Sequence, residues 1–250
     1  MGTDAHARRR GSYGIDAPYL LAVPLLLIVS GVVQAALTHS AWPLGGAALV
    51  MAFSGFGLHA SRRGKFVVWD RLFDQLHLIG HEQILDLGCG RGAVLLLGAR
   101  RLTTGQAVGA DLWRTADQAG NDPDATRRNA VAEGVADRVE LRTADMTSLP
   151  FDDNSFDIVV SNVAIHNVKT SAGRDRAIEE AVRVLRPGGR LLIADLRATS
   201  QYRQRLATLG MTNVARRNLG WRMWWSGPWL PTRLVTATKP HQTARHNPET

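Results

Sequence analysis

The 250-residue sequence has little cysteine and tyrosine, and one long stretch of it carries no charged side chain. Its single cysteine, Cys89, excludes an intramolecular disulfide and a multi-cysteine metal site, and we expect no bound metal. Hydrophobic residues still make up 45% of the chain and charged residues 21%, so global disorder is excluded and a packed core is feasible. The formal charge of +8 favours anionic partners.

The uncharged stretch is residues 17–61, which contain no Asp, Glu, Lys or Arg. Two apolar runs in it, residues 19–37 and 42–58, have about the length of a membrane-spanning helix, although the second is short and glycine-rich. The flanking arginines are Arg8, Arg9, Arg10, Arg62 and Arg63. Since positive flanks stay in the cytoplasm, we expect a transmembrane hairpin in the cell membrane, with the globular remainder of the chain on the cytoplasmic side. A buried hairpin of a soluble protein is the alternative.

After the hairpin, seven short apolar runs alternate with longer amphipathic ones. This alternation predicts an α/β fold, with a mostly parallel sheet and right-handed crossovers. No helical pattern separates the last two runs, residues 213–217 and 233–238, so we expect an antiparallel last strand. The predicted organisation is a basic tail (1–16), a transmembrane hairpin (17–61), an α/β domain (62–238) and a disordered polar tail (239–250).

The most distinctive motif is ILDLGCGRG, residues 84–92. A buried strand carrying Asp86 runs into a turn with Gly88, Gly90 and Gly92, where backbone can come very close to a ligand. The N–H groups at the start of the following helix face the same place. Such a turn is where a nucleotide-like cofactor binds in a doubly wound α/β domain.

Acidic residues end the next two predicted strands. Asp111 has the position from which a carboxylate accepts hydrogen bonds from ribose hydroxyls. Asp145, followed by Met146, is placed to accept a hydrogen bond from an adenine amino group. A capping role for a helix or turn is the alternative for each acid.

Four segments, ILDLGCGRG, GADLW, TADMTSLPFDDNSFDIVVSN and RVLRPGGRLLIADL, occur in the order and spacing of class I S-adenosylmethionine-dependent methyltransferases. Residues 71–238 resemble this family, and in particular the small-molecule branch with ubiquinone, menaquinone and sterol methyltransferases. The resemblance implies a Rossmann-like seven-stranded fold and S-adenosylmethionine as cofactor. The implied contacts are Asp86, Gly88 and Gly90 at the methionine part, Asp111 at the ribose, Leu112, Asp145 and Met146 at the adenine, and Asn162 at the junction with the substrate.

A separate set of residues is needed to act on the methyl acceptor. A sulfonium methyl is already electrophilic, so the protein mainly has to align the reactants, and a base helps if the acceptor is a hydroxyl or an enol-like carbon. His166, just past the fourth strand, is the candidate base because its ordinary pKa suits that role. A structural histidine in a loop is the alternative interpretation.

Residues 220–229 hold four of the seven tryptophans. They could form a wall for an apolar substrate, an interfacial anchor, or a packed loop between the last two strands. Three arginine pairs, at 100/101, 127/128 and 216/217, lack an aromatic-interleaved RNA motif beside them, so we expect no nucleic acid. Solvated protein faces and attraction to an anionic membrane leaflet explain them better.

The sequence thus predicts methyl transfer from S-adenosylmethionine to a small, lipophilic acceptor at the cytoplasmic membrane face. A nicotinamide-dependent, membrane-anchored oxidoreductase is a second hypothesis, although the G-x-G-x-G spacing departs from the dinucleotide pattern. A non-catalytic membrane protein that binds the cofactor is a third.

Overall fold

The computed structural model describes residues 9–16, 22–115 and 118–241. The helices are α1 Ala22–Thr38, α2 Trp42–His59, α3 Lys65–Leu76, α4 Ala93–Ala99, α5 Pro123–Glu133, α6 Ser171–Val184 and α7 Thr199–Thr208. The strands are β1 Gln83–Leu87, β2 Gln106–Asp111, β3 Val139–Thr143, β4 Phe156–Asn162, β5 Leu185–Asp195, β6 Thr212–Asn218 and β7 Arg233–Thr238. A π-helical turn, Ala60–Gly64, joins α2 to α3.

The seven strands form one sheet in the order β3-β2-β1-β4-β5-β7-β6. Strands β1 to β5 pair in parallel, and β7 runs antiparallel to both β5 and β6. The prediction of a mostly parallel, Rossmann-like sheet with an antiparallel last strand is confirmed. The strand order reverses between β1 and β4, and ligands bind at such a switch point in open α/β sheets.

Apolar side chains alternate between two core layers, one on each face of the sheet. Ile84 of β1 packs in the layer that α3, α4 and α5 cover, whereas Leu85 packs in the layer under α6 and α7. The alternation follows from the two-residue period of a strand. Because both faces are covered, the central strands β1 and β4 are buried, and a ligand reaches them at the carboxyl end of the sheet.

Local signals set several element ends. Asp122 caps α5 by accepting the Asp124 N–H at 2.9 Å, and Gly134 ends that helix in the left-handed region. Thr170 caps α6 by accepting the Gly173 N–H at 3.0 Å. The sequence contains each of these residues in the pattern that predicts a helix end.

Strand β5 runs from Leu185 through Pro187, Gly188 and Gly189, three residues that normally end a strand. Leu185 already pairs with Phe156, and the register shifts before Ile158 pairs with Arg190. A β-bulge of this kind absorbs Pro187 and the two glycines without ending the strand.

The N-terminal helices form a hairpin whose apolar side chains are largely exposed. A Cβ on Gly31 would lie 3.0 Å from both Pro43 O and Ala47 Cβ, so the two helices approach closely. One helical stretch of the described residues, Trp42–Leu76, is long and apolar enough to cross a membrane. Helix α1 has 17 residues and falls below that length, and residues 17–21 before it lie outside the described residues. The sequence predicts two transmembrane helices, but the described residues contain one candidate. The described part of α1 is too short to be the second.

Both chain ends contact the domain where they are described. Residues 9–16 run along α5, where Glu133 accepts the Tyr13 hydroxyl at 2.9 Å. Lys239, in the segment predicted to be disordered, donates from Nζ to the Leu185 and Val182 carbonyls at 2.6 and 2.7 Å. Residues 1–8 and 242–250 lie outside the described residues.

Candidate functional site

A cavity of about 930 Å³ lies at the carboxyl ends of β1 to β5. It brings together all nine residues predicted for the site, which are Asp86, Gly88, Gly90, Asp111, Leu112, Asp145, Met146, Asn162 and His166. They come from separate segments, and they meet because parallel strands place their carboxyl ends at one edge of the sheet.

The glycine turn after β1 forms the floor of this cavity. Gly88 has φ 73° and Gly90 has φ 51°, a left-handed conformation that L side chains rarely adopt. A Cβ on Gly88 would overlap the Cβ of Ala164, and one on Gly90 would lie 2.5 Å from Gln118 Oε1. The turn thus needs glycine both for its backbone angles and for space.

Asp86 is buried in the cavity wall, with 1% of its surface exposed, and neither carboxylate oxygen has a hydrogen-bond partner among the described residues. Burial raises its pKa to about 8, the charge of Asp111 adds to that effect, and the Leu95 N–H opposes it without forming an aligned hydrogen bond. A buried carboxylate without a partner is costly, and a cationic group would offset that cost. The α-ammonium group of an amino acid moiety fits this place.

Asp111 braces the glycine turn. Its Oδ2 accepts the Gly90 N–H at 2.8 Å, and its Oδ1 accepts the Trp113 N–H at 2.6 Å and the Asn121 amide at 3.2 Å. The structure does not support a helix cap here, since α5 begins only at Pro123 and has Asp122 as its cap. Ribose binding remains the prediction for Asp111.

Asp145 does form a cap of a turn, which was the alternative interpretation. Its Oδ1 accepts both the N–H and the hydroxyl of Thr147 at 2.8 Å. These bonds, the backbone one first, lower the pKa of Asp145 and keep it ionised. The carboxylate is exposed to the cavity mouth, so turn capping and a contact to adenine are compatible.

Asn162 and His166 line the cavity beyond β4. Trp69, which is fully buried in α3, donates its indole N–H to Asn162 Oδ1 at 2.8 Å. His166 Nδ1 lies 2.5 Å from Asp195 Oδ1, but the oxygen is out of line with the ring N–H, so this is a close polar contact rather than an aligned hydrogen bond. Sequence reasoning missed Trp69 and Asp195, since their partners are distant along the chain.

Asp195 is fully buried at the end of β5 and holds the His166 turn in place. Its Oδ2 accepts the His166 backbone N–H at 3.0 Å and the Tyr202 hydroxyl at 3.1 Å, and its Oδ1 accepts the Leu196 N–H at 2.7 Å. Burial raises the pKa of Tyr202, and the neighbouring Asp195 charge adds to this effect. The hydroxyl therefore stays protonated as a donor. The Asp195 carboxylate, the His166 imidazole and the Tyr202 phenol therefore form one connected group.

A buried ion pair closes the opposite wall. Lys65 Nζ lies 2.7 Å from Asp16 Oδ2, and only 2% of the Lys65 side chain is exposed. Gln118 donates to Asp16 Oδ1 at 2.7 Å and accepts the Arg91 N–H at 2.8 Å. Sequence reasoning missed these residues, because no local spacing relates Asp16 to Lys65.

The tryptophan-rich segment, residues 220–229, packs on α2 and reaches the cavity. The rings of Trp229 and Phe53 lie 4.6 Å apart, and those of Trp224 and Phe56 lie 5.7 Å apart. Trp225 lines the cavity and donates its indole N–H to Thr232 Oγ1 at 3.0 Å. The segment is thus a packed loop that also supplies a wall, which combines two of the three sequence interpretations.

Comparison with known proteins finds methyltransferases that are similar to the central part of the chain. Residues 85–193 match the family described as "Methyltransferase domain". The chain is 38% identical over 128 residues to methyltransferase GfsG of Streptomyces halstedii, covering 51% of this chain and 42% of that protein. It is 34% identical over 131 residues to demethylmenaquinone methyltransferase of Symbiobacterium thermophilum, covering 52% and 49%. The match thus spans less than half the length of these two relatives.

The fold is similar to that of a solved methyltransferase structure. A geranyl diphosphate methyltransferase solved with S-adenosylmethionine superposes with a TM-score of 0.56 at 16% identity, covering 70% of this chain and 85% of that one. The glycine turn and the unpartnered Asp86 fit such a cofactor, whose methionine part carries an ammonium group. Residues 85–193 therefore match a methyltransferase domain, and the sheet has the fold of a solved methyltransferase that binds S-adenosylmethionine.

Proposed function

We propose that the protein transfers the methyl group of S-adenosylmethionine to a small, lipophilic acceptor at the cytoplasmic face of a membrane. The observation that carries the proposal is one continuous cavity. It joins the cofactor turn at Asp86 and Gly88 to His166 and to an apolar wall at Trp225 and Leu230. One of the relatives is named for methylating demethylmenaquinone, which supports a small organic acceptor.

At the cofactor end, the domain's own groups suit the three parts of S-adenosylmethionine. Asp86 would receive the ammonium group, and Asp111 would accept from the ribose hydroxyls while it holds Gly90. Leu112 and Met146 would contact the adenine ring, with Asp145 at its amino group. When bound, the cofactor supplies an electrophilic sulfonium methyl group.

At the acceptor end, His166 would remove a proton from a hydroxyl or an acidic C–H group. In this role Nε2 receives the proton, because Nδ1 lies against Asp195. The buried Asp195 would position the ring and stabilise the imidazolium ion. Asp195 is a positioning residue, and the Tyr202 hydroxyl in turn fixes its carboxylate.

The hairpin supports a membrane location. Leu37 is 76% exposed, Leu26 69% and Trp42 90%, and such apolar surface needs a bilayer or a partner to cover it. The tryptophan-rich segment contacts α2 and the cavity together, so an acceptor dissolved in the bilayer would reach His166 along this wall. Positive residues at both ends of the hairpin favour the cytoplasmic side.

The test incubates the purified full chain with methyl-tritiated S-adenosylmethionine and a membrane lipid extract. Transfer of label to the organic phase is expected with wild type, and His166→Gln should reduce the rate about 10²- to 10⁴-fold without changing S-adenosylhomocysteine affinity. His81→Gln, an exposed histidine outside the cavity, is the matched control. Label confined to water-soluble products would exclude a lipophilic acceptor, and cofactor binding without any transfer would favour the non-catalytic hypothesis.

A further inference from the structure

A second cleft, of about 1010 Å³, lies outside the methyltransferase cavity, between residues 9–16, the π-helical turn and α3. The charged side chains that line it are Arg9, Arg62, Arg63, Arg100 and Asp70. Its one lining carboxylate, Asp70, is already paired with Arg101 at 2.8 Å. The cleft therefore has a strong excess of positive charge.

The N-terminal wall of the cleft is held in place by the fold. Arg9 Nη1 donates to the Arg62 carbonyl at 2.9 Å, and the Arg9 guanidinium lies 3.8 Å above the Phe66 ring. Glu133 accepts the N–H groups of Arg10 and Gly11, both at 3.0 Å. The Arg9 side chain is thus fixed at the rim of the cleft.

The positive charge of the cleft is poorly compensated. Arg62 and Arg63 are exposed on the π-helical turn, and neither side chain forms an ion pair with any described residue. Arg100 lies 3.7 Å from Glu133, whose other oxygen already accepts three hydrogen bonds. Burial lowers the pKa of Arg9, and repulsion from Arg63 acts in the same direction. An anion in the cleft would relieve this crowding of like charges.

The position of the cleft identifies the class of anion. Arg62 and Arg63 belong to the turn that directly follows α2, and exposed apolar residues such as Leu49 and Met51 lie along that helix. Anionic headgroups attract basic residues at the end of a membrane segment, and acyl chains cover apolar helix surface. We propose that this cleft binds the phosphate group of an anionic phospholipid, an inference that rests on the proposed membrane location.

The test uses the full chain in a neutral detergent and follows its thermal unfolding. Dioctanoyl phosphatidylglycerol should raise the unfolding temperature in a saturable way, whereas dioctanoyl phosphatidylcholine should not. The R62Q/R63Q variant should need at least about tenfold more phosphatidylglycerol for half-saturation, because each basic residue near an anionic headgroup contributes about a factor of five. The matched control is R203Q/R217Q, which replaces two exposed arginines away from the cleft, one on α7 and one on the edge strand β6, and it should behave as wild type.

Each outcome bears on a separate claim. Equal affinity in R62Q/R63Q and wild type, or equal stabilisation by phosphatidylcholine, overturns the proposal. If inorganic phosphate binds as tightly as phosphatidylglycerol and is lost in R62Q/R63Q, the anion site stands and its assignment to lipid is overturned. S-adenosylhomocysteine affinity, measured in the same samples, reports whether the variant is folded, and if it is not, R62Q and R63Q singly replace it. Lipid binding without methyl transfer overturns the proposed function and leaves the lipid site standing.

Discussion

The cofactor end and the acceptor end of the cavity differ in how their polar groups are held. At the cofactor end, Asp145 is bonded by Thr147 two residues away, and Asp111 by Trp113 at the same spacing. At the acceptor end, the partner of His166 is Asp195 on another strand. The wall around Trp225 rests on α2, from a distant part of the chain.

Because of this difference, the sequence predicts the cofactor end of the cavity better than the acceptor end. Longer-range bonds such as Gly90 N–H to Asp111 also hold the cofactor end, but the glycines and acids that form them stand in recognisable motifs. This end can therefore be recognised in the sequence, and residues 85–193 match the family described as "Methyltransferase domain". Long-range contacts depend on which segments the fold brings together. Under the proposed function, the residues at the acceptor end can therefore vary with the substrate without changing the cofactor turn.

The largest effect on cofactor affinity is expected at Gly88, where the cofactor end has no space for a side chain. Gly88→Val places a side chain where a Cβ already overlaps Ala164, so S-adenosylhomocysteine affinity should fall more than about 100-fold, measured by calorimetry. Gly134→Val is the control, because Gly134 has a similar φ of 72° with nothing within 4 Å of its added Cβ. Both variants place a side chain on a residue with left-handed backbone angles, which costs about 1–2 kcal/mol of stability. Only Gly88→Val should also lose affinity for S-adenosylhomocysteine. Equal loss in both would mean that strain alone matters.

A smaller effect is expected at Asp86. Asp86→Asn keeps the shape and removes the charge, so S-adenosylhomocysteine affinity should fall about 10- to 100-fold, as for a lost charge-assisted hydrogen bond. A variant that binds as tightly as wild type would place the ammonium group elsewhere.

The same substitution tests the pKa of Asp86 in the ligand-free protein. Its folded pKa of about 8 lies above the ordinary value of 3.8, so the unfolded chain releases this proton at lower pH and the folded protein loses stability as pH rises from about 4 to 8. The unfolding temperature of wild type should therefore fall toward pH 8 relative to that of Asp86→Asn. Parallel pH profiles for the two proteins would show that Asp86 titrates normally.

The smallest effect is expected at the acceptor wall. Trp225→Ala should raise the KM for the acceptor about tenfold, the scale of a lost apolar contact, and leave S-adenosylhomocysteine affinity unchanged. Trp229→Ala is the control, since Trp229 packs on Phe53 outside the cavity. A changed cofactor affinity in Trp225→Ala would mean that the two ends of the cavity are coupled.

Much of the fold could be predicted because its signals are periodic or local. Burial on both faces makes β1 and β4 mostly apolar runs, interrupted by Asp86 and Asp157, and Gly134 marks the end of α5. The start of β5 could not be predicted, because Pro187 and two glycines normally end a strand and only pairing with Phe156 shows the bulge. The start of the first apolar helix stays a prediction, because residues 17–21 lie outside the described residues.

The sequence by itself determined the cofactor turn, the acids that follow it and the position of His166. These features follow from residue types at short spacing, and parallel strands bring their ends together in any such sheet. Only the tertiary structure decided that Asp16 neutralises the buried Lys65, that Asp195 lies against His166, and that the tryptophan-rich segment packs on α2. Those contacts join residues far apart in the chain, and their geometry exists only once the sheet, the hairpin and the loops have packed against one another.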